Sequence, residues 1–187
     1  MIDARRRRVL KGAIMLGLGG GLSVCHLGAQ GDRASARPEA GDLLVRFGDS
    51  NNTPLTPRDI SLGAAQTMAW AMEAGSGTVR SGSRLNQILL LRLDPATLAA
   101  DTRSRAAEGV VAYTTICPHT GCDVDGWQSG EQLLACPCHD SIFDPKDGGR
   151  VVDGPAPRVL PALPLAIAGG KLVVAKPFTA PIGFERG

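Results

Sequence analysis

Two segments decide the fold of this chain: Cys117-Pro118-His119-Thr120-Gly121-Cys122 and Cys136-Pro137-Cys138-His139-Asp140-Ser141. These two motifs hold four of the five cysteines and two of the three histidines in the sequence. Each motif pairs a cysteine with a histidine, as Cys-x-His in the first and Cys-x-x-His in the second, and a further cysteine accompanies each pair. Two thiolates and two imidazoles at one site suit either zinc or an iron–sulfur cluster with mixed ligands.

The simpler metal sites fit this spacing poorly. Structural zinc sites usually place cysteine pairs about two to four residues apart and histidine pairs about three to five apart, whereas each motif here combines one cysteine with one histidine. Covalent haem attachment needs Cys-x-x-Cys-His, and the second motif is one residue too short for it. Two disulfides would leave both histidines without a role. A structural zinc module remains the weaker alternative.

The two motifs resemble the signature of the Rieske iron–sulfur proteins, which is Cys-x-His-x-Gly-Cys followed by Cys-Pro-Cys-His-x-Ser. In that family two cysteines hold one iron of a [2Fe–2S] cluster and two histidines hold the other. The resemblance therefore implies two ligands for the inner iron, Cys117 and Cys136, and two for the outer iron, His119 and His139. The match is specific over residues 112–158 and looser from Asp42 to the C-terminus.

The same resemblance implies two further features around the cluster. Cys122 and Cys138 would form a disulfide between the loops, as in the subclass found in cytochrome bc complexes and in arsenite-oxidase-type small subunits. The segment Gly154-Pro155-Ala156-Pro157 is similar to the proline loop that covers the cluster. Within the first motif, Gly121 frees the backbone for a tight loop.

Histidine ligation predicts a one-electron carrier of raised potential. Neutral imidazoles in place of thiolates remove negative charge, so Rieske potentials lie at about −150 to +300 mV, against about −400 mV for plant-type clusters. Imidazole also titrates, so a proton can accompany the electron at His119 or His139.

Three residues near the second motif bear on that potential. High-potential family members supply a serine and a tyrosine hydroxyl to the cluster sulfurs; Ser141 matches the serine, but Phe143 stands at the tyrosine position and donates nothing. Asp140 replaces the usual glycine. Its carboxylate would lower the potential, or it serves as a turn residue that tolerates left-handed backbone. We expect a positive potential below about +300 mV.

The N-terminus predicts export. Arg6-Arg7-Arg8-Val9-Leu10-Lys11 resembles a twin-arginine signal, and residues 12–31 carry no charge but contain seven glycines. About 20 such residues nominally span a bilayer, although the glycines make a weak anchor. Residues 1–29 are predicted as a signal helix, either cleaved or retained as a membrane tether. A disulfide suits the periplasmic side, which is oxidising.

Charge divides the chain into two parts. Residues 1–31 hold five basic residues and one acidic residue, and the remainder holds 15 basic and 17 acidic residues. The net positive charge of the chain therefore comes from the predicted targeting segment, and we expect no nucleic-acid partner. Polar residues 30–41 are predicted to be a linker that lets the domain swing. Residues 42–187 suit one compact domain, and the resemblance implies a cluster-binding subdomain within it at about residues 112–158.

Many short strands with turn signals predict an all-β protein with an antiparallel β-sandwich or barrel. The family resemblance implies that this is the antiparallel Rieske-type β-sandwich with a smaller cluster-binding subdomain. A helical insertion is predicted over Asp94–Ala107, with Pro95 in its first turn and Gly109 past its end; the sequence indicates no role for it. Trp70 and Trp127 are predicted as packing residues. Strands are predicted at Leu43–Phe47, Met68–Met72, Gln87–Leu93, Leu163–Ile167 and Lys171–Ala175. Val110–Thr115 leads into the first motif, and Trp127–Cys136 is predicted to form a turn and a strand that lead into the second.

These features together predict an exported electron-transfer subunit that is not catalytic alone. The first hypothesis is the iron–sulfur subunit of a quinol:cytochrome c oxidoreductase, with a quinol donor and a c-type cytochrome acceptor. The second is a small subunit that relays electrons for a periplasmic molybdenum oxidase of the arsenite-oxidase type. Ser141, the linker and the proline loop favour the first, whereas Phe143 and the weak anchor favour the second.

Overall fold

The computed structural model describes residues 33–184. The predicted signal or anchor over residues 1–29 lies outside the described residues, as do the first residues of the predicted linker. Between residues 33 and 184, no helix combines the length and the apolar character needed to cross a bilayer.

Two antiparallel sheets form the described part of the chain. The larger has six strands in the order β4-β3-β2-β1-β10-β9, and the smaller has four in the order β5-β6-β7-β8. The larger sheet contains β1 Leu43–Arg46, β2 Thr67–Met72, β3 Ile88–Arg92, β4 Val110–Thr114, β9 Leu165–Ala168 and β10 Lys171–Val174. The smaller sheet contains β5 Gly126–Gln128, β6 Leu133–Cys136, β7 Ser141–Asp144 and β8 Arg150–Asp153. The predicted all-β antiparallel fold with a smaller subdomain is confirmed, and the smaller sheet is inserted between β4 and β9.

Strand β3 separates two hydrophobic cores. Its Ile-Leu-Leu-Leu run is fully buried on both faces. Because successive side chains of a strand point to opposite faces, Ile88 and Leu90 pack into the core of the larger sheet, while Leu89 and Leu91 pack into a second core. That second core also contains Leu134 and Phe143 of the smaller sheet and therefore joins the two sheets.

The predicted helix over Asp94–Ala107 is wrong in its extent. The segment contains a 3-10 turn at Pro95–Thr97 and a separate helix, α1, at Ala100–Arg105. Asp94 caps the turn by accepting a hydrogen bond from the amide of Ala96 at 2.9 Å. Leu98 then adopts extended backbone, with φ −78° and ψ 134°, and its side chain is buried in the second core. Burial of this leucine interrupts the helix.

Strands β7 and β8 are absent from the sequence-based prediction. Each has four residues and begins or ends on a polar or charged side chain. Strand β7 does alternate between buried and half-buried residues, but four residues are too few for a period of two to stand out. Its pairing with β8 also shifts register between Ile142 and Phe143.

Candidate metal centre

The first motif follows β4 as a loop, and the second connects β6 to β7; we call these the first motif loop, residues 117–122, and the second motif loop, residues 136–141. The predicted disulfide joins them: Cys122 is bonded to Cys138, with 6.4 Å between their Cα atoms. Cys117 and Cys136 remain free thiols, each 1% exposed. The Sγ atoms of Cys122, Cys136 and Cys138 lie within 4.8 Å of one another. The fold therefore brings both motifs to one place.

The two histidines lie together on the outer side of this site. Their ring centroids are 4.7 Å apart, and the rings are nearly perpendicular at 88°. His139 is exposed and His119 is half-buried, in contrast to the buried thiols of Cys117 and Cys136. Thiols inside and imidazoles outside are the arrangement that the resemblance implies for an inner and an outer iron.

Backbone hydrogen bonds close the first motif loop. The amide of Cys117 donates to the carbonyl of Cys122 at 2.8 Å, and the amide of Gly121 donates to the carbonyl of Cys117 at 3.0 Å. Gly121 has φ +80°, the left-handed region that favours glycine. The tight turn predicted for this glycine is therefore present.

The second motif loop is a four-residue connection within a hairpin. Cys136 and Ser141 face each other as the last ladder pair between β6 and β7. Asp140 has φ +57°, and aspartate is one of the few residues that visits this left-handed region routinely. Asp140 therefore serves as a turn residue here. The effect of its carboxylate on the redox potential stays a prediction.

The predicted proline loop lies against the second motif loop. Gly154 has φ +84°, and a β-carbon at this position would lie 2.5 Å from both the carbonyl oxygen of Asp140 and the Cα of Ser141. No side chain fits so close to backbone, so glycine is required by both its conformation and its contact. Ala156 packs against the second core, whereas Pro155 and Pro157 are exposed.

Burial makes the Cys136 thiol a poor acid in the protein alone. It raises the pKa of the Cys136 thiol to about 11, although the backbone amides of Cys138 and His139 donate to its sulfur and act in the opposite direction. The neighbouring Cys117 thiol raises this pKa further. A bound cation reverses that balance, because a coordinating thiol is deprotonated outright.

Two buried polar atoms of the motif loops have no hydrogen-bond partner in the described part of the chain. Among residues 33–184, neither Nδ1 of His119 nor Oγ of Ser141 has a hydrogen-bond partner, although both atoms are buried. Such groups are uncommon in folded proteins and need an explanation. A cluster supplies one, since iron coordinates an imidazole nitrogen and an anionic sulfur accepts a hydrogen bond from a hydroxyl. The residues present therefore fit a [2Fe–2S] group.

Comparison with known proteins agrees with this chemistry. Residues 75–164 match the family model described as the Rieske [2Fe-2S] domain. The chain is 34% identical over 154 residues to the cytochrome bc1 complex Rieske iron-sulfur subunit of Streptomyces lividans, covering 79% of this chain and 89% of that protein. The chain belongs to the Rieske [2Fe–2S] family. A [2Fe–2S] cluster is therefore its cofactor, and the disulfide between Cys122 and Cys138 fits the disulfide-containing subclass.

Two further Rieske relatives are matched over a smaller share of their length. The cytochrome bc1 complex Rieske iron-sulfur subunit of Streptomyces coelicolor is also 34% identical over 154 residues, but these cover 79% of this chain and only 43% of that protein. The putative respiratory nitrate reductase subunit Rieske of Haloferax mediterranei is 43% identical over 76 residues, or 40% of this chain and 34% of that protein. The matched segments cover less than half the length of each of these two proteins.

Residues outside the Rieske signature also contact the first motif loop, and no motif in the sequence indicates them. The Arg84 guanidinium donates to the carbonyl of Gly121 at 2.9 Å and to Oδ1 of Asp123 at 2.7 Å. A β-carbon at Gly121 would lie 3.2 Å from Cδ1 of Phe184. The C-terminal segment therefore packs back on the domain, and Phe178 also packs against the core of the larger sheet.

Proposed function

We propose that this Rieske chain is an exported one-electron carrier and the iron–sulfur subunit of a quinol:cytochrome c oxidoreductase-like complex. The observation that carries the proposal is the difference in burial across the site: the two thiols are buried, whereas His119 is half-buried and His139 is exposed. The cluster edge that can meet a partner is then the histidine edge. Similarity to bc1 Rieske subunits supports this choice of complex.

The four residues that would hold the cluster are Cys117, Cys136, His119 and His139. When bound, the cluster supplies one-electron redox chemistry at a potential raised by its imidazole ligands. The chain's own contribution is to exclude water from the two cysteines and to present His139 at the surface. A quinol hydroxyl that hydrogen-bonds to this histidine would give its proton to the imidazole and one electron to the cluster that the imidazole holds. A c-type cytochrome would be the acceptor.

The targeting features belong to the same proposal. Residues 1–29 would direct export by the twin-arginine route or remain as a membrane tether, residues 30–41 would form a linker, and residues 42–187 would form the domain on the periplasmic side. The disulfide between Cys122 and Cys138 supports an oxidising destination. Replacement of Arg6 and Arg7 by lysine tests the route: we expect fractionation to find the variant in the cytoplasm, and unchanged export would contradict it.

An EPR-monitored redox titration of the purified native complex tests the main proposal. We expect a rhombic [2Fe–2S] spectrum with average g below the free-electron value, appearing at a positive potential, together with quinol-dependent cytochrome c reduction. Cys136→Ser and His139→Ala should each abolish the Rieske spectrum, whereas Cys25→Ser, outside both motifs, should keep it. A potential well below zero, or a complex without quinol activity, would contradict the proposal.

A second function is favoured by one observation at Phe143. This side chain is fully buried where high-potential family members carry a tyrosine hydroxyl, so a lower-potential relay is also compatible with the site. The chain would then be the small subunit of a periplasmic molybdenum oxidase of the arsenite-oxidase type. Co-purification with a molybdopterin-containing subunit, and no quinol activity, would favour this alternative. A structural zinc module does not fit, because the Rieske domain carries a [2Fe–2S] cluster.

A further inference from the structure

One short turn touches two parts of the molecule that are far apart in sequence. It comprises residues 83–87, between β2 and β3, and includes the 3-10 turn Arg84–Asn86. One end of it contacts the first motif loop, and its buried asparagine contacts the N-terminal segment, residues 33–37. Neither contact belongs to the Rieske signature, and the cluster chemistry described above uses neither.

Arg84 holds the end of the first motif loop. Its Nη1 donates to the carbonyl of Gly121 and its Nη2 to the carboxylate of Asp123, and these two residues flank Cys122. A planar guanidinium that donates in two directions fixes orientation as well as distance, which a lysine ammonium does not. The side chains of Arg84 and Asp123 are 53% and 51% exposed. Such an exposed ion pair contributes little to stability, so its main effect is on loop geometry.

Gln87 holds the start of the same loop. Its backbone carbonyl accepts a hydrogen bond from the amide of Thr115 at 3.3 Å, and its side-chain Oε1 accepts one from Oγ1 of Thr115 at 3.4 Å. Thr115 lies two residues before Cys117. The turn therefore contacts the first motif loop on both sides, through Gln87 before the cysteine–histidine pair and through Arg84 after it.

Asn86 fixes the turn to the N-terminal segment. It is fully buried, and its Nδ2 donates to the carbonyl of Ala36 at 2.8 Å while its Oδ1 accepts from Nη1 of Arg37 at 3.1 Å. Just before the turn, the amide of Gly82 donates to the carbonyl of Ala34 at 2.9 Å. A buried side-chain amide with partners on both its nitrogen and its oxygen resists displacement.

We propose that Arg84 is a positioning residue for the first motif loop, and that the turn carrying it links the placement of this loop to the docking of residues 33–37. The chain of contacts runs from Arg37 through Asn86 to Arg84 and on to the residues that flank Cys122. Loss of the N-terminal contact would then loosen the loop that contains Cys117 and His119. This inference rests on the proposed function for its effect on the cluster, but the contacts exist without it.

Hydrogen–deuterium exchange of the purified full-length protein tests the link, read on the peptide covering residues 116–123. Arg84→Lys keeps the charge but loses the two-directional guanidinium, and we expect at least fivefold faster exchange in this peptide. Arg37→Lys should accelerate exchange both at residues 33–37 and, to a smaller extent, at residues 116–123. Arg58→Lys, at an exposed arginine in the turn Pro57–Asp59, is the matched control and should leave the peptide unchanged.

Two results would overturn the inference. If Arg84→Lys exchanges at the wild-type rate over residues 116–123, Arg84 does not position the first motif loop. If Arg37→Lys exchanges faster only at residues 33–37 and not at residues 116–123, the N-terminal segment is not coupled to the first motif loop. An EPR titration of the same variants adds the functional readout, since a displaced loop changes the g-values and the potential of Arg84→Lys. If wild-type protein gives no Rieske spectrum, the proposed function fails, but the exchange comparison still decides the link.

Discussion

The two motif loops contribute the same pair of residue types, yet the protein holds them in different ways. The second loop is part of a hairpin: β6 and β7 pair up to Cys136 and Ser141, and the backbone of Gly154 packs directly on it. The first loop follows β4 and is closed by its own backbone hydrogen bonds, and the contacts described above that reach it from elsewhere come from the side chains of Arg84 and Phe184. Backbone contacts leave little freedom, whereas side chains can move. We therefore expect substitutions that touch the second loop to cause large losses of stability, and substitutions that touch the first loop to cause smaller ones.

Removal of the disulfide should have the largest effect, because Cys122–Cys138 is the covalent link between the two loops. It closes a sequence separation of 16 residues, and a cross-link of about 15 residues contributes about 3 kcal/mol through the unfolded state. We expect the double variant Cys122→Ser/Cys138→Ser to unfold about 6–12 °C lower in a thermal melt. Cys25→Ser is the control. An unchanged melting temperature would mean that strand pairing and packing alone hold the loops together.

Glycine substitutions compare directly how the backbone supports the second loop and how side chains support the first. Gly154→Ala places a methyl group 2.5 Å from backbone atoms of the second loop, in left-handed conformation, and should cost about 2–3 kcal/mol or more and lower cluster occupancy. Gly121→Ala in the first loop meets only the Phe184 ring at 3.2 Å. Because that ring can move aside, most of the expected cost, about 1–2 kcal/mol, is the left-handed conformation.

Gly169→Ala is the matched control for both substitutions. Gly169 also has a positive φ, +56°, but no atom would lie within 4 Å of its new β-carbon. Chemical denaturation together with iron content should give the order Gly154, Gly121, Gly169 from most to least affected. Equal losses at Gly154 and Gly121 would contradict the distinction between backbone and side-chain support.

Ser141→Ala should lower the redox potential without loss of stability in the cluster-free protein. The hydroxyl is buried and has no partner within residues 33–184, so its removal there leaves no group unpaired. With the cluster bound, a lost donor to sulfur disfavours the reduced state. We expect a decrease on the order of 60 mV, which for one electron is about a tenfold change in equilibrium constant. An EPR titration measures it, with the exposed Ser104→Ala as control. A potential equal to wild type would show that the hydroxyl does not reach the cluster.

The contrast between the loops also explains what the sequence could predict. The second motif is local: its cysteine and histidine ligand candidates lie within six positions, and a left-handed backbone was one of the two interpretations that the residue type of Asp140 allowed. Arg84, in contrast, reaches Gly121 across 37 residues of sequence, and nothing around it distinguishes it from other exposed arginines. The prediction of one continuous helix over Asp94–Ala107 failed for a related reason, because burial of Leu98 is a tertiary effect that overrides local propensity. Local chemistry was predictable and long-range support was not.

Phe143→Tyr should give the smallest change in redox potential, and it tests the support of the second loop from within the core. Phe143 and Ser141 lie two residues apart on the same buried face of β7. A tyrosine hydroxyl that reaches a cluster sulfur would raise the potential, by about 30 mV or half the serine effect, because the closely packed core limits its approach. In the cluster-free protein the same hydroxyl would be buried without a partner, at a cost of about 1–3 kcal/mol. Phe143→Leu separates packing from donation, since it alters the ring and adds no donor. A loss of stability with an unchanged potential would mean that the hydroxyl points into the second core, and that Ser141 alone connects β7 to the cluster.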